Sequence, residues 1–178
     1  MGWRALLGVL VLAGCSTDPG RGKWVGDYVT TNNFESVAGW GADASTLTKE
    51  HTHSGQFAVR VDADHEYGQT FDLPLNQASV HALKGVELEA WAYLPSAQAS
   101  GALVLQIIDA AGADSRVVHS EQVELLNEVK EYKEWTKVRH VFNLPDALSP
   151  NYHLRIFLWR SGSKEPVYID DISIKALE

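Results

Sequence analysis

The chain predicts an all-β fold, a β-sandwich or jelly roll, from three observations. Short apolar stretches of strand length recur from residue 46 to residue 175, turn-forming clusters separate them, and no segment holds a convincing helical period. The candidate strands are Thr46–Thr52, Gln56–Asp62, Gly68–Leu73, Val86–Leu94, Ala102–Asp109, Arg116–Leu125, Trp135–Leu144, Tyr152–Arg160 and Pro166–Lys175. Between them lie breakers such as His53-Ser54-Gly55, Pro95-Ser96, Ala111-Gly112, Leu144-Pro145-Asp146 and Ser161-Gly162-Ser163. Glu121–Lys133, with Val123, Leu126 and Val129 at near-helical spacing, is the one helical competitor.

Taken from its start, the chain carries one charge, Arg4, and then an apolar run that ends Leu12-Ala13-Gly14-Cys15. The run is too short to cross a bilayer as a helix and has the position and flanks of a secretory signal. Leu-Ala-Gly-Cys resembles a bacterial lipobox, which implies cleavage after residue 14 and lipidation of Cys15, the only cysteine. Residues 1–14 are therefore expected to be a signal peptide. The resemblance, with Ser16 next, implies an envelope lipoprotein held through acyl chains, in the outer membrane under the common sorting rule. Residues 15–31, with Pro19-Gly20-Arg21-Gly22, read as a tether, or as an extended lead-in strand where Trp24, Val25 and Tyr28 occur. The folded domain is expected over 32–178, long enough for a substantial core.

Loss of residues 1–14 would take the formal charge from −8 to −9. An acidic chain without a basic run argues against nucleic acid and against electrostatic docking on anionic lipid.

Strand parity gives the faces. Val86, Leu88, Ala90, Ala92 and Leu94 form an apolar face, leaving Glu87, Glu89, Trp91 and Tyr93 opposite. Leu103, Leu105 and Ile107 oppose Val104, Gln106 and Ile108. Leu154, Ile156 and Leu158 oppose His153, Arg155, Phe157 and Trp159. Aromatics beside Glu, Gln and Arg are what a glycan needs, flat apolar surface for ring faces and fixed polar groups for hydroxyls. The candidate carbohydrate-binding residues are Trp91, Tyr93, Glu89, Gln106, Arg155 and Trp159. The same pattern also arises where a second layer or loop covers the face. Trp40 and Trp135 read as core or rim.

The last strand, Val167–Ile174, is interrupted by Asp170-Asp171. A carboxylate within an apolar strand is costly unless paired, hydrogen-bonded or bound to a metal. Glu35 lies at the start of the expected domain, so the first and last strands are expected to meet and share a carboxylate site. The alternative is that Asp170 and Asp171 cap a turn while Glu35 is solvated.

Asn33-Phe34-Glu35, Gly39-Trp40, His53-Ser54-Gly55-Gln56-Phe57-Ala58-Val59-Arg60-Val61, Leu88-Glu89-Ala90-Trp91-Ala92-Tyr93, Trp135-Thr136-Lys137-Val138 and Tyr168-Ile169-Asp170-Asp171-Ile172-Ser173-Ile174 follow one another in the order of a known family. Over residues 32–178 the chain resembles the jelly-roll carbohydrate-binding modules of bacterial xylanases and cellulases, with a galactose-binding-like fold. The resemblance implies non-catalytic binding of a polysaccharide or oligosaccharide. It also implies a structural calcium, with Glu35 and Asp171 as carboxylate ligands and carbonyls near His53–Gln56 completing the shell.

Other chemistry is sparse. His51 and His53 share a strand face but lack a third ligand at recognisable spacing. His140 reads as a core histidine beside Val138 and Phe142, and the acids of Asp62–Glu66 as a solvated loop. No nucleophile elbow, phosphate loop or dinucleotide fingerprint occurs, and Glu87 with Glu89 makes a weak pair for glycoside hydrolysis. The chain is thus expected to be no enzyme. The alternatives are a protein-interaction module of an envelope complex and, less favoured, a small polysaccharide lyase or hydrolase.

Overall fold

A computed structural model describes residues 24–178 apart from 42, 113 and 114. The expected signal peptide, Cys15 and most of the expected tether therefore lie outside the described residues. The fold is a β-sandwich jelly roll of two antiparallel sheets. In chain order the strands are β1 (Trp24–Asn32), β2 (Trp40–Gly41), β3 (Leu47–Thr48), β4 (Ala58–Val61), β5 (Tyr67–Pro74), β6 (Gly85–Tyr93), β7 (Ala102–Asp109), β8 (Arg116–Glu124), β9 (Trp135–Asn143), β10 (His153–Trp159) and β11 (Val167–Leu177). Sheet A has the order β3-β4-β11-β6-β9, with β1 also on β11, and sheet B the order β2-β5-β10-β7-β8.

The core forms where the two inward faces meet. Val86, Leu88, Ala90 and Ala92 of β6 face Leu103, Leu105 and Ile107 of β7 and Leu154, Ile156 and Leu158 of β10, all of them buried. Burying such side chains contributes roughly 1.5–3 kcal/mol each and fixes the strand registers, because a one-residue slip would turn the apolar set outward.

Three expectations are refined. Of the two readings of the lead-in, the extended strand holds from Trp24, where β1 pairs with β11 from Trp24↔Leu177 to Asn32↔Ile172. Thr46–Thr52 contributes only the two-residue β3, after a 3-10 turn at Ala44–Thr46 capped by Asp43. Glu121–Lys133 is divided: β8 runs to Glu124 and one helical turn, α2 (Leu125–Glu128), follows, burying Leu125.

The closing strand shows why its parity misleads. Read straight through, Val167 and Ile169 oppose Ile172 and Ile174. The pairing with β6 slips between Asp170↔Trp91 and Ser173↔Glu89, so β11 carries one extra residue there. This bulge brings all four apolar residues to the core and leaves Asp171 at φ 46°. On its other edge β11 pairs with β4 through Ile169 and with β1 from Ile172, so Asp170 and Asp171 fill the gap between two partner strands.

Candidate functional site

The outer faces of the two sheets divide the predicted carbohydrate-binding residues. Gln106, Arg155 and Trp159 come together on sheet B. Trp91, Tyr93 and Glu89 lie on sheet A, so the six cannot line one groove.

On sheet B the registers order the outward side chains into three rows across β5, β10, β7 and β8. The first row is Asp72, Arg155, Gln106 and Ser120; the second is Thr70, Phe157, Val104 and Gln122; the third is Tyr67, Trp159, Ala102 and Glu124. Four strands spaced about 4.8 Å apart give a platform about 14 Å across. Over it lies a groove of about 600 Å³ lined by Tyr67, Thr70, Val104, Gln106, Ser120, Gln122, Arg155, Phe157 and Trp159.

The groove has an apolar end and a polar end. Phe157 packs on Ala102 and Val104 as floor, with Trp159 against the same cluster. Tyr67 stands edge-on to Phe157 at 5.6 Å between centroids and is 52% exposed. The indole N–H of Trp159 donates to Glu66 Oε1 at 3.2 Å, which fixes the ring's orientation. At the polar end Asp72 Oδ2 accepts from Nε and Nη2 of Arg155 at 2.9 and 2.7 Å, while Asp72 Oδ1 lies 2.5 Å from His153 Nδ1. Burial alone would raise the Asp72 carboxyl, but the hydrogen bonds and charges of His153 and Arg155 outweigh it and hold the group below the usual carboxylate range. No carboxylate is among the groove-lining residues.

Sequence reading missed Tyr67, Thr70, Ser120 and Gln122. Tyr67 falls one residue before the expected strand, and the β10–β5 register shifts between Phe157 and Trp159, so simple alternation misplaces it. Ser120 precedes the helical competitor Glu121–Lys133 and Gln122 lies within it. Their alternation with Val123 on an edge strand was the available signal.

On sheet A the rings are stacked under a loop. His53 lies on Trp91 at 3.9 Å and 16°, and His51 on Tyr93 at 4.3 Å and 19°. Trp135 packs against Tyr93 at 5.6 Å and His53 at 5.8 Å. Glu89 is engaged by Lys137 at 3.4 Å and Arg139 at 3.5 Å. Beside it Glu87, only 3% exposed, pairs with Arg139 and with Lys175. The two histidines of His51-Thr52-His53 thus serve as ring covers, and His140 packs on Phe142 at 4.6 Å. The acids at 62–66 make a turn in which Asp62 Oδ1 accepts from the Asp64 and His65 amides.

The carboxylates predicted to hold calcium flank the turn His53–Phe57 from two sides. Glu35 Oε1 accepts from the Gln56 amide at 2.6 Å and the Phe57 amide at 2.9 Å. Asp170, fully buried, accepts from the amides of His53 at 2.8 Å, Ser54 at 3.0 Å and Asp171 at 2.7 Å. Burial pushes the Asp170 carboxyl up, opposed by those amides. Asp171 Oδ1 accepts from the Ser54 hydroxyl at 2.8 Å, and its Oδ2 lies 2.5 Å from His53 Nδ1. Calcium needs several converging oxygens with free lone pairs. Here N–H and O–H donors meet the carboxylates instead, and no group of three His, Cys, Asp or Glu side chains suited to an ion occurs among the described residues. As arranged, Glu35 and Asp171 form a hydrogen-bonded clamp around the turn.

No protein-family model and no curated protein matches the chain. Solved structures do. The CBM22-1 xylan-binding domain of Paenibacillus barcinonensis Xyn10C superposes with a TM-score of 0.53 at 18% identity, covering 85% of this chain and 96% of that one. The C-terminal family 22 carbohydrate-binding module of Clostridium thermocellum Xyn10B gives 0.54 at 14% identity over 84% and 93%. The enzymatically active domain of tailspike protein 4 from bacteriophage CBA120 gives 0.51 at 12% identity, covering 82% of this chain but 20% of that one. At such identities the likeness is one of fold: the chain has the two-sheet jelly roll found in these carbohydrate-binding modules.

Proposed function

We propose that the protein binds polysaccharide non-catalytically in the groove on sheet B. The observation that carries this reading is the groove's division into an aromatic end, Tyr67 and Trp159, and a hydrogen-bonding end, Gln106, Ser120, Gln122 and Arg155. A sugar's apolar ring face stacks on an indole or phenol while its hydroxyls need amide, hydroxyl and guanidinium partners fixed by the scaffold. Xylan is the first polymer to test, since the similar solved modules are described as xylan-binding.

The test is affinity electrophoresis of the purified protein through gels carrying xylan, mannan, β-glucan or polyuronate. Retardation by one polymer class, lost in Trp159→Ala and kept in Trp91→Ala, supports the groove on sheet B. Free migration through every polymer sinks the reading. Slow release of reducing ends from a bound polymer would replace it with an enzymatic one.

Attachment to the cell envelope belongs to the same proposal and rests on Leu12-Ala13-Gly14-Cys15. Metabolic labelling with a radioactive fatty acid should mark the protein and leave Cys15→Ser unmarked; equal labelling of both removes the anchor.

A further inference from the structure

We propose that Asp72 makes this groove select uncharged polysaccharides over acidic ones, by neutralising the groove's only cation. The inference rests on the polysaccharide reading above. Among the residues that line the groove, Arg155 alone carries a charge, and a free guanidinium is the group best suited to hold a uronate carboxylate bidentately. The structure does not leave it free. Nε and Nη2 of Arg155 both donate to Asp72 Oδ2, which occupies the side-on edge, one of the two a bidentate partner could use. Asp72 is itself held in place by His153 on its other oxygen. Arg155 keeps N–H donors for hydroxyl groups, but its charge is already met.

The surroundings add to the bias. Glu66, hydrogen-bonded to Trp159, borders the aromatic end, and Glu124, hydrogen-bonded to Gln122 Nε2 at 2.5 Å, borders the β8 side. The whole chain carries a formal charge of −8. A polyuronate approaching this groove thus meets acceptor carboxylates on three sides and a compensated arginine at the polar end. An uncharged chain meets amides, hydroxyls and rings. Like-charge juxtaposition at an interface suppresses the wrong partner more strongly than a matched charge improves the right one.

The experiment compares an uncharged arabinoxylan with polygalacturonate at pH 8, where an ordinary imidazole is neutral. Wild-type protein, Asp72→Asn and Asp72→Asn/Arg155→Gln are measured at low and high salt, with a melting curve for each. Wild-type protein is expected to be retained by arabinoxylan and not by polygalacturonate. Asp72→Asn should raise the ratio of acidic to neutral affinity by about tenfold or more, as loss of one repulsive charge and release of one cation implies. The gain should fade at high salt and vanish in the double variant.

Retention of wild-type protein by polygalacturonate as strong as by arabinoxylan overturns the inference without any variant, and leaves polysaccharide binding standing. An unchanged ratio in a folded Asp72→Asn protein overturns it as well. Retention by neither polymer, nor by the rest of the panel, removes the polysaccharide reading itself and this inference with it.

Discussion

On sheet A, Trp91 and Tyr93 point outward and are covered ring on ring by His53 and His51, whereas on sheet B, Tyr67 and Trp159 point outward over a groove of about 600 Å³. Both faces mix aromatics with glutamates and cationic side chains. What separates them is the path of one loop. The segment before β4 crosses sheet A because the amides of His53 and Ser54 are tied to Asp170, which sits at the bulge of β11. Among the described residues, sheet B has no such anchor over its middle strands. An outward aromatic is thus a binding candidate only where no neighbouring turn has a fixed point from which to reach it.

The strongest way to break this contrast is to remove the anchor. Asp170→Ala leaves the amides of His53, Ser54 and Asp171 without their acceptor in a buried setting, at a cost of about 3 kcal/mol. For a domain of this size that lowers the melting temperature by about 10 °C. It should also release the turn, so Trp91 fluorescence becomes more accessible to an aqueous quencher while Trp159 does not change. Loss of quencher protection at both faces would mean that the turn is not the cover.

Next in size is the exchange of effects between the two tryptophans. Trp159→Ala should weaken polysaccharide affinity about 30-fold, near 2 kcal/mol, as for an interface anchor, and change stability less. Trp91→Ala should do the reverse. Its half-buried ring is packed by His53 and Lys137, and its loss should cost about 2 kcal/mol of stability with affinity retained. Calorimetric titration and melting of both variants decide it. Equal affinity losses would make the two faces one functional surface.

The sheet layers were legible in the sequence because alternation over Val86–Leu94 and Tyr152–Arg160 sets every inward residue correctly. Parity gives direction, however, and says nothing of which sheet a strand joins. Trp91 and Trp159 therefore read alike as outward although β6 and β10 lie in different layers. The β11 bulge was hidden for a related reason. An extra residue changes phase without changing composition, and Asp170-Asp171 reads equally as a metal site and as a turn clamp. The partners that distinguish these are backbone amides of residues 53–57, which no side-chain pattern displays.

Smaller still is the contribution of the pair at the polar end of the groove. Asp72 and Arg155 are each about a third exposed, so Asp72→Asn should destabilise the protein by only about 0.5–1 kcal/mol at neutral pH. The sign with pH follows from the lowered carboxyl. The folded state holds Asp72 ionised more firmly than the unfolded chain, so the contribution is present above the usual carboxylate range. It is lost as pH falls through the folded value. Melting of wild type and Asp72→Asn from pH 7 to pH 2.5 should converge in acid; a gap that widens on acidification would contradict the pairing.

The smallest expected effect is that of a chelator, and it sharpens what holds the cover on sheet A. Two descriptions of the His53–Phe57 turn compete: a calcium shell supplied by Glu35 and Asp171, or carboxylates closed on amide, hydroxyl and imidazole donors. A bound ion stabilises the native state by mass action and its removal lowers the melting temperature. A hydrogen-bonded clamp has no such dependence. Because Glu35 Oε1 already receives two amides and both Asp171 oxygens have partners in Ser54 and His53, melting should be the same with excess chelator and with millimolar calcium. A rise of several degrees on adding calcium, absent in Glu35→Gln, would mean that these carboxylates turn away from their donors to take the ion. The clamp would then be only the metal-free state of the turn, and the cover over Trp91 would depend on the calcium concentration around the protein.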